Sequence, residues 1–347
     1  MAERTTLGIG GPARRIACVS DPESLQEALA ENGDSTVAVL GSGSNLVVSD
    51  RGFDGLLLQS VDQTRDYDPA TGELQAGAGL EWDDLVRFGV EQGAAGLECL
   101  SGIPGLCGAA PVQNIGAYGQ EVAETLITVR ATDLQNGEER EFDAAECDFA
   151  YRRSRFKDEE SGRWFITQIS LRLHPEGEAT LAYRELANAF SEDSNPSLAD
   201  VRDEVLRLRR SKSMVYDPSD ENHRSAGSFF ANPVVDATTA EDVAGRVKRN
   251  MPRWPTPDGN VKIAAAWLIQ QSGLEKGFRQ GPVGLSSRHV LALVNHGGAR
   301  AEDLLTLATT VRDRVFDRFG IRLRPEPVPL GFTPDETVDL WGDQPTP

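Results

Sequence analysis

Residues 102–122 read GIPGLCGAAPVQNIGAYGQEV, a stretch with five glycines and one charged side chain in a strongly acidic chain. Ordering a glycine costs more backbone entropy than ordering any other residue, so a cluster of glycines needs a compensating gain. That gain is usually the close approach of another group to the main chain. A second segment of this kind, GSGSN at residues 41–45, lies between two apolar runs. Together the two segments predict a large dinucleotide held by backbone N–H groups.

The shorter segment is ambiguous when it is considered alone. GSGSN fits a tight connection between two strands as well as it fits an anion-binding loop. It lacks the third glycine of the Rossmann dinucleotide fingerprint. No Gly-Lys-Ser/Thr sequence follows it, so it is not a P-loop.

The composition is that of a soluble globular protein of two or three domains, with 347 residues, 39% hydrophobic and 26% charged. A net charge of −19 argues against nucleic acids and anionic membranes as partners. The N-terminal MAERTTLGIGG lacks the apolar region of a secretory signal, and the chain has no apolar run of about 18 residues. The cysteines, which are Cys18, Cys99, Cys107 and Cys147, form no CxxC pair. We therefore expect a cytoplasmic protein with reduced thiols and no metal site.

Sequence periodicity predicts mixed α and β structure with a change of pattern along the chain. The first part alternates strand and helix, with Asp21 capping a helix that ends at Gly33. Hairpins are predicted around Gly72 and Gly137, and a helix lies between them in WDDLVRFGVEQG. The last third reads as a separate α+β unit with helices at Thr239–Asn250, in KIAAAWLIQQSG and in AEDLLTLATTVRDRVFDRFG. The tail after Phe332 is polar, and we expect it to fray.

Six motifs occur in an order that is typical of one family. They are TTLGIGGPA, LGSGSNLVVSD, SGIPGLCGAAPVQNIGAYGQEV, YRRSRFK, GSFFANP and the closing RPEP. Together they resemble the UDP-N-acetylenolpyruvoylglucosamine reductases, flavoproteins of peptidoglycan precursor synthesis, over nearly the whole chain. LAYREL and the segment leading to RRSK resemble the longer form of the family, which carries a substrate-covering insertion.

The resemblance implies an α+β protein whose two-subdomain FAD-binding fold is of the vanillyl-alcohol-oxidase/PCMH type, with a C-terminal α+β substrate-binding domain. Residues 1–60, joined by 322–347, would form the first FAD-binding subdomain and residues 61–205 the second. Residues 206–321 would form the substrate-binding domain. FAD would be bound without a covalent link. NADPH would give a hydride to N5 of the flavin. The hydride would then pass to UDP-N-acetylglucosamine enolpyruvate to give UDP-N-acetylmuramate. We expect the protein to be a monomer.

The glycine-rich segments carry most of the flavin contacts that the resemblance implies, together with Tyr151. The implied residues are Gly41, Ser42, Gly43, Ser44, Asn45, Gly102, Ile103, Pro104, Gly105, Gly108, Gln113, Asn114, Gly116, Ala117, Tyr118 and Gly119.

The catalytic residues that the resemblance implies are Ser228, Arg152 and Glu326. Hydride addition to the vinyl carbon leaves negative charge on the neighbouring carbon, which needs a cationic group and then a proton. Ser228 matches the family's proton donor and Arg152 its enolate-stabilising arginine, whose planar fork grips a carboxylate. Glu326 would help only if it is protonated or if it orients the serine or the arginine. Without the family, Ser228 reads as a turn residue and Glu326 as an exposed loop acid.

The substrate-binding residues that the resemblance implies are Tyr183, Lys212, Asn232, Trp254 and Lys262. Lysines next to two phosphates make electrostatic sense. Trp254 aligns with a tyrosine that covers the uracil in the longer form. The sequence also departs from the family at Ala231, where a basic residue is common, and at His296, where an acid is usual.

Two other functions remain open from the sequence. An FAD-dependent oxidase of the same fold would reduce oxygen rapidly, and Cys107 inside the glycine-rich stretch leaves a covalent flavin possible in principle. A non-catalytic protein that binds nucleotide sugars would be colourless. The intact GSGSN, QNIGAYG, Arg152 and Ser228 argue against this second alternative.

Overall fold

The computed structural model describes residues 1–191, 194–247 and 250–342. The α-helices are α1 Pro22–Asn32, α2 Trp82–Glu91, α3 Arg184–Ala187, α4 Leu198–Ser211, α5 Ala237–Gly245, α6 Ala265–Gln271, α7 Ala301–Phe319 and α8 Pro334–Trp341. The strands are β1 Ala13–Val19, β2 Val37–Val39, β3 Leu46–Val48, β4 Phe53–Ser60, β5 Arg65–Asp68, β6 Glu73–Gly77, β7 Ala94–Ala95, β8 Gly116–Ala117, β9 Gln120–Glu121, β10 Leu126–Asp133, β11 Glu139–Asp143, β12 Trp164–Arg172, β13 His174–Pro175, β14 Val234–Val235, β15 Arg253–Pro255, β16 Val261–Ile263, β17 Arg279–Gln280, β18 Val283–Leu285, β19 Leu293–Asn295 and β20 Val328–Leu330.

The chain forms two compact units, each built from separate stretches of sequence. The large unit comprises Ala13–Gly43 and Phe53–Tyr216. The small unit comprises Met1–Pro12, Ser44–Gly52 and Asp217–Thr346. One boundary between the units therefore falls inside GSGSN. The three-part division into residues 1–60 with 322–347, 61–205 and 206–321 stays a prediction.

The large unit contains a parallel sheet and a larger antiparallel sheet. In the parallel sheet, β4 lies between β1 and β2, and Leu56 and Leu58 of β4 are fully buried. The antiparallel sheet has the order β11-β10-β12-β6-β5. The central strands of this sheet bury Val129, Ile169 and Leu171 against α2 and the segment that follows it. Alternating apolar residues fix this register, because a shift of one residue would turn them all to the opposite face.

Local sequence explains the first helix of the large unit. The Asp21 carboxylate accepts a hydrogen bond from the Ser24 N–H, and the Ser24 hydroxyl oxygen accepts one from the Asp21 N–H. Pro22 occupies the first turn, where a missing N–H costs nothing. Gly33 follows the helix with φ +58°, a conformation that glycine adopts without strain. The predicted start and end of this helix are confirmed.

The small unit contains three small sheets and the long helix α7. The sheets have the orders β14-β16-β15, β17-β18-β19 and β20-β3, and the last of them is parallel. One face of α7 is buried through residues spaced at three and four positions, namely Leu304, Leu307, Val311 and Val315. Asp50 caps α7 from a distant part of the sequence, accepting a hydrogen bond from the Ala301 N–H at 2.9 Å.

Two helices differ from the sequence predictions. The helix expected at Thr239–Asn250 spans Ala237–Gly245 and is capped by Asp236, while Lys248 and Arg249 lie outside the described residues. The expectation that the tail frays is wrong for Pro334–Trp341, which forms α8. A capping box between Thr333 and Glu336, with proline in the first turn, is the sequence signal that predicts this helix.

Candidate active site

The GSGSN loop follows β2 and leads into β3. The side-chain amide of Gln59 donates to the Gly41 carbonyl at 2.7 Å, and Gly43 has φ +71°. A Cβ added to Gly41 would meet only the Ala109 side chain, at an ordinary contact distance of 3.4 Å. Within the small unit, the Thr6 hydroxyl donates to the Ser44 carbonyl at 3.4 Å. The loop thus combines a left-handed glycine with two hydroxyl side chains and an amide, which suits an anion.

The start of the longer glycine-rich segment is held by α2 and α4. The Gly102 N–H donates to the Asp83 carboxylate at 2.6 Å, and Arg202 binds both oxygens of that carboxylate at 2.7 and 2.8 Å. Burial acts to raise the pKa of Asp83, but the hydrogen bonds from Arg202 and Gly102 outweigh it, so the pKa lies below its usual value. Arg209 donates to the carbonyls of Met214, at 2.8 Å, and of Gly102, at 3.3 Å.

Several glycines of the longer segment are required by the protein's own packing. A Cβ on Gly108 would lie 2.6 Å from the Ala78 Cβ, and one on Gly116 would lie 2.7 Å from the Glu121 side chain. The Gly108 N–H also donates to the Ala78 carbonyl at 3.0 Å. At these two positions, therefore, the group that approaches the main chain closely is the protein itself.

The other predicted flavin residues of this segment also belong to the large unit. Ile103 packs partly against the core, and Pro104 is exposed. The Gly105 carbonyl accepts from the first N–H of α2, at Trp82, at 2.9 Å. Gln113 accepts a hydrogen bond from Lys157 at 3.2 Å, and Ala117 pairs with Gln120 across a short hairpin.

A buried network that the sequence analysis missed supports the far end of the segment. Glu98 is 1% exposed, and one of its oxygens accepts from the Gln120 amide and the Thr180 N–H, each at 2.8 Å. The other oxygen accepts from the Gly96 N–H at 2.8 Å. Gln120 also accepts from the Cys99 N–H at 2.8 Å. The network joins the glycine-rich segment to the stretch that leads to Tyr183. Its signal in the sequence is an acid inside an apolar run, LECL.

Arg152 lies against the glycine-rich segment in a strained conformation. Its φ is +59°, which is uncommon outside glycine and concentrates at functional sites. The guanidinium donates to the Gly116 carbonyl at 2.8 Å and to the Asn114 carbonyl at 3.4 Å, and it lies 5.2 Å from the centre of the Tyr151 ring. Asn114 is itself fixed by hydrogen bonds to Glu121 and to the Ala150 carbonyl. The structure thus brings the predicted catalytic arginine together with three predicted flavin residues.

Three further predicted residues of the large unit form a cluster. The Tyr118 and Tyr183 rings meet edge to face with their centres 5.5 Å apart. The Lys212 ammonium lies 5.6 Å from the centre of the Tyr118 ring and forms an ion pair with Glu185. Burial raises the pKa of Tyr118 to about 12, so its phenol stays neutral at physiological pH. One predicted flavin residue and two predicted substrate residues, which are far apart in sequence, are therefore neighbours.

The small unit places Ser228 and Glu326 on adjacent segments. The Glu326 N–H donates to the Phe229 carbonyl at 2.9 Å, and Phe230 pairs with Pro325 in an antiparallel bridge. Asn45 accepts from the Val328 N–H at 2.9 Å through its carbonyl, and its side chain donates to the Glu326 carbonyl at 3.4 Å. The segments that carry the predicted proton donor, the predicted carboxylate and a predicted flavin residue are therefore joined by hydrogen bonds within the small unit.

The other predicted substrate residues lie in or next to one three-stranded sheet of the small unit. Trp254 and Lys262 face each other as paired residues of β15 and β16, and the Trp254 side chain is exposed. The Asn232 side chain accepts from the Ala265 N–H at 2.9 Å, at the start of α6. Desolvation and then the nearby Arg279 lower the pKa of His296, so its imidazole is neutral near pH 7. His296 therefore does not reproduce the negative charge usual at this family position.

Two protein-family models match separate parts of the chain. Residues 217–330 match the family model "UDP-N-acetylenolpyruvoylglucosamine reductase, C-terminal domain", and residues 13–143 match an FAD-binding domain model. The chain is 44% identical to the UDP-N-acetylenolpyruvoylglucosamine reductase of Thermobifida fusca, covering 96% of this chain and 97% of that protein. It is 45% identical to that of Nocardia farcinica, covering 95% and 88%.

A solved structure extends the similarity to the fold. The crystal structure of the UDP-N-acetylenolpyruvylglucosamine reductase of Thermus caldophilus superposes on this chain with a TM-score of 0.65 at 27% identity. The match covers 95% of this chain and 96% of that one. The expected fold class and the expected cofactors, FAD with NADPH as electron donor, are confirmed by these matches. The chain therefore belongs to the UDP-N-acetylenolpyruvoylglucosamine reductase family of FAD-dependent oxidoreductases.

Proposed function

We propose that this protein uses NADPH to reduce UDP-N-acetylglucosamine enolpyruvate to UDP-N-acetylmuramate, as a cytoplasmic monomer in peptidoglycan precursor synthesis. The observation that carries the proposal is the hydrogen bond from the Glu326 N–H to the carbonyl of Phe229, the residue that follows Ser228. The names of the relatives, which match over nearly the whole chain, support the choice of substrate.

The residues present fit FAD as the cofactor. The Gly41–Asn45 loop, with its left-handed glycine and its hydroxyl and amide side chains, would hold the pyrophosphate. The Gly102–Gly119 segment and Tyr151 would lie against the rest of the cofactor. When it is bound, FAD supplies a redox centre that takes a hydride from NADPH and delivers it to the vinyl carbon of the substrate.

Arg152 would stabilise the charge that hydride addition creates. Its guanidinium is already oriented by the carbonyls of Gly116 and Asn114, so little reorganisation is needed when negative charge develops on the substrate. Its planar fork matches a carboxylate, which is where the charge is delocalised.

Ser228 would donate the proton that completes the reaction. A serine hydroxyl is a weak acid in water, but a developing carbanion is a strong base, and a hydroxyl held in place can serve. Glu326 would orient the serine through the shared framework, because an ionised carboxylate next to an enolate would be repulsive.

Five predicted residues would bind the nucleotide sugar. Lys212 and Lys262 supply positive charge for the two phosphates, and Tyr183 and Trp254 offer aromatic surfaces for a base or a sugar. Asn232 has a fixed orientation because its side-chain oxygen caps α6.

An anaerobic absorbance experiment with the Ser228→Ala variant tests the proposal. We expect NADPH to bleach the flavin of the variant at nearly the wild-type rate. Reoxidation by UDP-N-acetylglucosamine enolpyruvate should slow by at least about a hundredfold, the usual contribution of a positioned acid. The control is Ser272→Ala, whose hydroxyl bonds only within its own helix end, to the Ile269 carbonyl.

Three results would count against the proposal. Equal slowing of both half-reactions would remove Ser228 from the proton-transfer step. A wild-type flavin that is reoxidised only when air enters would favour the oxidase. A protein that stays colourless with added FAD but binds UDP sugars would favour the non-catalytic alternative.

A further inference from the structure

The segment Arg324–Leu330, called here the Glu326 strap, makes main-chain hydrogen bonds on both sides of Glu326. Pro325 and Pro327 have no N–H, so the Glu326 N–H is the only backbone donor between Arg324 and Val328. That N–H binds the Phe229 carbonyl at 2.9 Å. The Val328 N–H binds the Asn45 carbonyl at 2.9 Å. Both prolines also restrict the backbone, and Val328–Leu330 pair with β3 as strand β20, so the strap is a stiff element of the small unit.

The terminal helix α8 supplies another anchor. The Trp341 indole N–H donates to the Pro327 carbonyl at 2.7 Å, one residue beyond Glu326. Trp341 is 2% exposed, and it packs in the core of the small unit together with Leu340. An indole nitrogen is only a donor, so this hydrogen bond fixes both the ring and the carbonyl that it meets.

Two ion pairs hold α8 where Trp341 can reach the strap. Arg312 of α7, which is 4% exposed, binds the Asp339 carboxylate at 2.8 Å and the Asp339 main-chain carbonyl at 2.5 Å. Near the other end of the helix, Arg51 binds both oxygens of Glu336, one of them at 2.9 Å. Hydrogen bonding from Arg51 lowers the pKa of Glu336 to about 2, so this pair stays charged at physiological pH.

We propose that α8 is a positioning element for Glu326 and that Trp341 is the positioning residue through which it acts. The inference rests on the proposed role of Glu326. The Pro327 carbonyl is one peptide away from Glu326, so a shift of that carbonyl moves the Glu326 carboxylate relative to Ser228. Displacements of about 1 Å at such groups can change a rate by about a hundredfold.

The test is a comparison of the two half-reactions in Trp341→Phe. Phenylalanine keeps a buried aromatic ring but removes the donor to Pro327. We expect flavin reduction by NADPH at the wild-type rate and reoxidation by UDP-N-acetylglucosamine enolpyruvate about tenfold slower. The matched control is Val338→Ala on the exposed side of α8, which should leave both rates unchanged. A merely structural tryptophan would lower the melting temperature but leave both rates of the folded, flavin-loaded enzyme unchanged.

Two companion variants make the outcome decisive. Glu326→Gln should slow the same half-reaction; if it does not, the proposed role of Glu326 fails and this inference fails with it. If Glu326→Gln slows reoxidation and Trp341→Phe does not, the positioning role is wrong while the proposed function stands. If Trp341→Phe does not fold, Arg51→Gln loosens α8 more gently and should slow reoxidation about twofold to threefold. Equal slowing of both half-reactions in Arg51→Gln would also overturn the inference.

Discussion

The two glycine-rich segments differ in what surrounds them. In the Gly102–Gly119 segment, the space beside Gly108 is filled by Ala78, and the Gly102 N–H is bound to Asp83. In the GSGSN loop, a Cβ on Gly41 would meet only Ala109 at 3.4 Å. Glycines that are equally suggestive in sequence therefore serve different ends. Gly108 lets the chain pack closely against itself, whereas Gly41 has room beside it for an added Cβ.

This comparison predicts that the longer segment depends on the Glu98 network for its stability. Glu98→Ala would remove the acceptor of three hydrogen bonds, donated by the Gln120 amide and by the N–H groups of Thr180 and Gly96. We expect a loss of about 3 kcal/mol or more in the free energy of unfolding, measured by urea denaturation of the flavin-free protein. The control Glu91→Ala, at an exposed helix position, should stay within about 0.5 kcal/mol of wild type. A loss as small in Glu98→Ala as in the control would show that the segment does not need the network.

Gly108→Ala tests the close packing directly. The added Cβ would lie 2.6 Å from the Ala78 Cβ and 3.3 Å from the Ala78 Cα and carbonyl oxygen, so the backbone must shift. We expect a destabilisation of about 1–3 kcal/mol. Gly245→Ala is the matched control, because nothing lies within 4 Å of that position. A stability equal to that of the control would mean that Gly108 is not needed for packing.

Gly41→Ala should have the opposite effects, with stability unchanged and FAD binding weakened. The stability of the flavin-free protein should stay within about 0.5 kcal/mol of wild type, because the new methyl group makes only an ordinary contact. The dissociation constant for FAD, measured by fluorescence quenching, should rise about tenfold if the pyrophosphate lies against this loop. Unchanged FAD affinity would remove Gly41 from the cofactor site and weaken the comparison.

The smallest effect expected is the pH dependence of the stability that comes from the hydrogen bond between the Gly102 N–H and the Asp83 carboxylate. The pKa of Asp83 is lowered in the folded protein, so its contribution to stability is present above the ordinary aspartate pKa of about 3.9. That contribution is lost as the pH falls through the folded value. Wild type should therefore melt above Asp83→Asn at pH 7, and the difference should shrink below about pH 3.9. A difference that does not change with pH would mean that the carboxylate charge does not hold Gly102.

Local elements were the most predictable part of this fold. The helix after Asp21, the hairpins around Gly72 and Gly137 and the long helix before Gly320 all follow from caps, turn residues and periodicity. The C-terminal helix was missed because its polar composition outweighed the capping box at Thr333 and Glu336. Its stability comes instead from tertiary contacts, those of Trp341, Leu340 and Arg312.

The candidate site was predictable residue by residue only through the family motifs. Spacing did not indicate that Tyr118, Tyr183 and Lys212 meet, because they are separated by 65 and 29 residues. The supporting groups Glu98 and Asp83 lie outside the family motifs, and Gln120 and Arg209 lie inside them without an implied role. They act through hydrogen bonds to main-chain atoms, and sequence patterns do not record which distant main-chain atom a side chain will reach.

The sequence by itself determined the class of fold, the family and the identity of the chemical groups, because apolar periodicity, capping residues and ordered motifs are properties of the chain. The tertiary structure alone decided which glycines pack against the protein and that the Glu326 N–H binds the carbonyl of Phe229, the residue that follows Ser228. It also decided that Trp341 of α8 forms a hydrogen bond with Pro327 of the Glu326 strap. The physical reason is that these outcomes depend on distances between segments far apart in sequence, and only packing sets those distances.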